Sequence, residues 1–144
     1  MTYRNILKFQ QGLSLIEIMV ALTILTVAFV GLVFSFPFGL SITKEGENTT
    51  TASYLAQDKI EELVSLGYAN ISVGIIEEKH RLSNDSSSYL YFFQRQTEVS
   101  YVDGDLNEVV GGMGMKKISS TIYYNNAISK TEKSYSIKTL ISEQ

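Results

Sequence analysis

The stretch QGLSLIEIMVALTILTVAFVGLVF, Gln11–Phe34, decides the fold. It opens on a Gly-Leu step, Gly12-Leu13, carries one carboxylate, Glu17, and then runs apolar. From Ile18 to Leu40 there are 23 residues without a charge. A helix of that length reaches about 34 Å, against about 30 Å for the hydrocarbon core of a bilayer. The interruptions are mild: Thr23, Thr26, Gly31, Ser35, Pro37 and Gly39. Thr hydroxyls bond back to the preceding turn, and Gly and Pro are tolerated in membrane helices. The reading is a single membrane-spanning helix, with Pro37 as its expected kink because proline removes an amide donor and crowds the turn before it.

The flanks orient it. The leader MTYRNILKFQQG holds Arg4 and Lys8 and no acid, which keeps that end in the cytoplasm and sends the remainder across. Beyond the anchor the chain is acidic. Of 12 basic and 15 acidic residues, only Arg4 and Lys8 among the bases lie in the leader.

Composition excludes several functions. The chain has no cysteine and one histidine, His80, so neither a disulfide framework, a thiol nucleophile nor a multi-histidine metal site within the chain is expected. Scattered bases and a net charge of −3 argue against nucleic acid as the main partner. His80, between Lys79 and Arg81, reads as solvated. No Ser-His-Asp set or paired carboxylates on a cleft can be assembled, so neither catalysis nor a cofactor is expected. DGDLNE (Asp103–Glu108) alternates acids as calcium loops do, but Glu108 stands where the sixth-position glycine is needed and Gly114 where the twelfth-position acid is needed. It reads as a polar hairpin turn. GGMG (Gly111–Gly114) is followed by Met-Lys-Lys and is no phosphate loop.

Glu17 is the anomaly. An acid at the centre of a membrane helix costs about 2.5–3.5 kcal/mol and a leucine returns only about 0.3–0.6. Placement near one end, at a helix N-terminus, relieves part of this. An ordinary secretory signal has a shorter apolar core and a small-x-small cut site, which FSFPFGLSITK does not supply. A plain signal anchor fits the length and leaves Glu17 unexplained.

The string Gly12-Leu13-Ser14-Leu15-Ile16-Glu17, after a short basic leader and before IMVALTILTVAFVGL, resembles the class III signal of type IV pilin-like proteins. The resemblance implies cleavage after Gly12 by a prepilin peptidase and N-methylation of Leu13, with Glu17 at the fifth mature position. Leu13 replaces the more frequent phenylalanine. TASYLAQDKIEELVSLG (Thr51–Gly67) resembles the solvent-side half of the long helix in minor pilins and pseudopilins. MKKISSTIYYN (Met115–Asn125) and KSYSIKTLIS (Lys133–Ser142) resemble their closing strands. The partners implied are prepilin peptidase, other pilins or pseudopilins, an inner-membrane assembly platform and membrane lipid. Localisation follows: a single-pass membrane protein with cytoplasmic N-terminus and extracytoplasmic head, then a surface or periplasmic filament. Cleavage would create an amine at Leu13, mostly positive at neutral pH and spaced i, i+4 from Glu17. That amine can pair with Glu17 of its own chain or of a neighbour; the family's assembly logic is the second, which fixes axial register. The competing reading is a signal-anchored extracytoplasmic binding module that never polymerises.

The remaining pattern gives an α+β fold: a long N-terminal helix, membrane-spanning then amphipathic, packed on a small antiparallel sheet. The expected parts are a leader 1–12, a transmembrane segment 13–42 and a head 43–144. Ala52, Leu55, Ala56, Ile60, Leu63 and Val64 form one stripe, Gly46 and Asn48 mark a weak point before it, and Gly67 suits a left-handed stop. Residues Tyr68 to Ser88 read as an irregular connection. Three strands follow, with Phe93, Arg95, Thr97, Val99 and Tyr101, then Ile118, Ser120, Ile122 and Tyr124, then Tyr135, Ile137, Thr139 and Ile141 each on one face.

Overall fold

The structure, a computed structural model, describes residues 14–112, 114–127 and 129–143. Helix α1 runs Leu15–Ser65, and strands β1 (Gly74–Arg81), β2 (Phe93–Val102), β3 (Glu108–Val109), β4 (Met115–Asn125) and β5 (Glu132–Ser142) follow it. The chain divides into two compact units, Met1–Leu40 and Ser41–Gln144. The second holds the whole sheet, antiparallel in the order β1-β2-β4-β5, with the short β3 also paired to β2.

Alternation along the strands builds the core. Lys116, Ile118, Ser120, Ile122 and Tyr124 of β4 point inward and are buried, as are Phe93, Thr97 and Val99 of β2. Their neighbours between form the solvated face usual for an antiparallel sheet. From Ser41 onward α1 lays Ala52, Ala56, Ile60 and Leu63 on the inner face. Ala52 and Ala56 join Phe93, Ile122 and Tyr124 in one cluster; Ile60 and Leu63 join Ile71, Val99 and Ile118 in another. Ile137 of β5 packs against both. Val64, expected on the stripe, is instead exposed, because the four buried positions already span the contact. At the end of β2 it is Val102 that is fully buried while Tyr101 is half-buried, since the ladder there passes to β3.

Three expectations need correction. First, α1 continues unbroken through Gly46 and Asn48. A glycine costs a helix about 1 kcal/mol, and tertiary contacts override it here. Glu45 accepts from the Lys133 ammonium at 2.7 Å and from the Ala127 amide at 3.1 Å, and the Thr49 and Tyr124 hydroxyls bond at 2.9 Å. Second, the connection after α1 contains a strand, β1. Its residues GIIEEKHR are almost all exposed, so no alternation betrays it; backbone pairing to β2 alone makes it a strand. Third, Gly67 does stop the helix with positive φ, but at φ 78°, ψ 157°. That is the extended glycine-only region and not the left-handed helical one.

The expected hairpin turn at Asp103–Glu108 is present. The Asp103 carboxylate accepts from the Asn107 and Asp105 amides at 2.9 Å each, and these bonds hold its pKa below the usual carboxylate range.

Candidate functional site

The candidate site is the start of α1. The Ser14 carbonyl accepts the amides of Glu17 at 3.0 Å and Ile18 at 3.2 Å, which opens the helix and places Glu17 in its first turn. A carboxylate there faces the positive end of the peptide dipoles. Thr23, Thr26 and Ser35 donate their hydroxyls to the carbonyls of Met19, Leu22 and Gly31 at 2.7–2.8 Å. Each of these three hydroxyls is thereby satisfied within its own helix, as a lipid environment requires.

The apolar side chains are not satisfied in that sense. Every large hydrophobic residue from Leu15 to Leu40 is at least 47% exposed. Such an uninterrupted apolar surface is a site for lipid or for other helices. Pro37 lies inside the helix and Gly31 faces open space. Gly12 and Leu13, the expected cleavage and methylation residues, lie outside the described residues.

With this geometry in place, comparison with known families is decisive for the N-terminus: the prokaryotic N-terminal methylation motif matches residues 7–33. The chain has a type IV pilin-like N-terminus. The match spans Gly12, Leu13 and Glu17 and most of the apolar run. No curated protein and no solved structure matches the chain. The motif implies processing by a prepilin peptidase, and joined to the hydrophobic helix it points to the membrane. The long helix on an antiparallel sheet is a pilin-like α+β architecture, one whose members are generally structural subunits.

In the pilin-like head, sequence reasoning missed the polar ties that fix the helix and the strands. Glu77 of β1 receives Arg95 Nε at 2.8 Å, Arg95 Nη2 at 2.9 Å and the Thr97 hydroxyl at 3.0 Å. Burial pushes the Glu77 carboxyl up, but the Arg95 fork and charge, with Thr97, outweigh it and hold the group below its ordinary range. The register of β1 on β2 is irregular on both sides of Glu77, and bulges of this kind re-aim a side chain. A clue existed: Arg95 falls on the same face as Phe93, Thr97 and Val99, and a cation there demands an acid. His80, read as solvated, is half exposed; its Nδ1 donates to the Glu78 carbonyl at 2.8 Å and its Nε2 lies 3.3 Å from Glu77. Lys116, 5% exposed, donates to the Tyr68 and Ile71 carbonyls at 2.7 and 2.8 Å and lies over the Tyr68 ring. It ties the post-helix segment to β4. These are structural contacts, and no group of three or more acids or histidines among the described residues is placed to hold a metal ion.

Proposed function

We infer that the chain is a minor pilin or pseudopilin subunit of a type IV filament system, serving a pilus, DNA uptake or type II secretion. It assembles through its hydrophobic N-terminal helix once the leader is removed. The observation that carries this reading is the methylation motif lying over the start of a helix whose large apolar side chains from Leu15 to Leu40 are all left exposed. In this reading residues 1–12 are the cytoplasmic leader, 13–42 the membrane segment and 43–144 the extracytoplasmic head. Prepilin peptidase cuts between Gly12 and Leu13, and Leu13 is methylated.

Assembly then exchanges lipid for neighbouring helices. Without a hydrophobic driving force inside the bilayer, close approach at small residues such as Ala21, Ala28 and Gly31 supplies the packing. The new amine of Leu13 pairs with Glu17 of an adjacent subunit. Such a pair adds little net stability and fixes register, because sliding the helices breaks it. Pro37 bends the helix to suit the bundle. The other partners are fellow pilins or pseudopilins, the inner-membrane assembly platform and membrane lipid.

Intact mass of protein extracted from native membranes tests this. The expected species begins at Leu13 and carries one added methyl group. A chain still beginning at Met1 supports a tethered module that does not polymerise. Glu17→Val is expected to be cut normally and to be lost from filaments; normal incorporation would refute the register role.

A further inference from the structure

One end of the head carries an aromatic cleft that no assembly contact described above uses. Its volume is about 390 Å³, and its walls include Tyr89, Phe92, Phe93 and Tyr124, with Lys44 and Lys130 beside them. Phe93 and Tyr124 are buried and form the floor, while Tyr89 and Phe92 stand 60% and 63% exposed. Exposing two large rings side by side is costly unless something covers them.

Charge and position identify what covers them. Among the residues that line the cleft two are lysines, Lys44 and Lys130, and none is an acid. The remainder of residues 41–144 carries eight bases against fourteen acids. The cleft therefore presents ammonium groups without a carboxylate in its walls, on a head that is otherwise acidic. Lys44 is engaged by Glu47 at 3.1 Å, but both side chains are 60% or more exposed, and an exposed pair of this kind yields readily. Lys130 is presented from a turn at φ 58°, its amide donating to the Asn126 carbonyl.

Lys44 follows Leu40, the last residue of the uncharged run, by four residues. Whatever the angle between the two units, four peptide steps keep Lys44 within about 14 Å of Leu40. Along the unbroken helix α1 four residues rise about 6 Å, and the headgroup layer adds about 5–7 Å on each side of the hydrocarbon core, so Lys44 comes within reach of that layer. Tyrosine is enriched in this layer, and a lysine near the end of a membrane helix extends its ammonium into it.

We propose that the cleft seats an anionic phospholipid of the leaflet from which the head emerges. The phosphate lies by the ammonium groups of Lys44 and Lys130, and Tyr89 and Phe92 enter the headgroup region. The proposal rests on the membrane-anchored reading above. It makes the cleft a lipid contact that must be surrendered when the subunit leaves the bilayer for a filament.

The chain contains no tryptophan, so single reporters can be introduced. Full-length Phe92→Trp and Leu25→Trp proteins, each checked for an unchanged melting temperature of the head, are reconstituted into two kinds of vesicle. In both, one-third of the lipid is brominated high on its chains; in one the brominated lipid is phosphatidylcholine, and in the other it is phosphatidylglycerol. Phe92→Trp is expected to be quenched only in the anionic vesicles. Adding Lys44→Gln or Lys130→Gln should raise the anionic lipid fraction needed for half-quenching, with binding weakened about fivefold for each lysine. If Leu25→Trp is quenched while Phe92→Trp is not, or is quenched regardless of lipid charge, the cleft proposal is overturned and the anchor stands. If Leu25→Trp is not quenched either, the anchor reading itself fails. A blue shift of Phe92→Trp without quenching, growing with protein density, overturns the proposal in favour of a second copy of the chain.

Discussion

Replacing Ala56 with leucine should lift α1 from the sheet. Ala56 is fully buried and shares its cluster with Phe93, Ile122 and Tyr124, so three added carbons have no void to enter. Overpacking of a filled core costs about 1–3 kcal/mol, and the helix-propensity difference between alanine and leucine is a few tenths. A head of this size has about 5–15 kcal/mol of stability in all. With about 4–8 °C lost per kcal/mol in a domain near 100 residues, a mid-range penalty lowers the melting temperature by about 10 °C. The assay is thermal unfolding of full-length protein in mild detergent, followed by the near-ultraviolet dichroism of its nine tyrosines. Gln57→Leu, one residue along and exposed, is the control and should stay within about 0.5 kcal/mol. Equal melting of Ala56→Leu and wild type would refute the described helix–sheet contact.

Two further outcomes follow from the polar interior. Glu77→Gln loses a charged partner of Arg95, for a cost of about 1–2 kcal/mol at pH 7, less than a dry pair because the group is near the sheet rim. Since folding lowers the pKa of Glu77, its contribution is complete above the unfolded value near 4.5 and fades as pH falls through the lower folded value. Denaturation midpoints of wild type and Glu77→Gln should therefore converge below about pH 4.5, and a constant gap down to pH 3 would contradict the ion pair. Ser120→Ala should raise stability by about 1 kcal/mol in the same melts, because the Ser120 hydroxyl is fully buried without a partner among the described residues. A loss instead would mean that the hydroxyl is satisfied.

The long helix and the three principal strands were legible because their signals are local. The uncharged run from Ile18 to Leu40, the stripe at Ala52, Ala56, Ile60 and Leu63, and the alternation in β2, β4 and β5 are each written within one short window. Gly12, Leu13 and Glu17 were singled out the same way, and the methylation motif covers all three. What stayed hidden depends on partners far along the chain. β1 has no buried face of its own, and Gly46 is carried through the helix by Lys133, Ala127 and Tyr124 from the opposite end of the sequence. The cleft needed Lys44, Phe92, and Tyr124 with Lys130 brought together from three separate segments.

The two rims of the sheet differ in texture. β1 is irregular around Glu77, whereas β5 keeps unbroken register with β4 from Met115–Ser142 to Asn125–Glu132. A crumpled rim is a poor template for a foreign strand and a straight one is a good template. Crowded heads that stick together wrongly will therefore do so along β5, and Lys138, spaced midway along that rim, stands as its charged sentry against runaway ribbon growth.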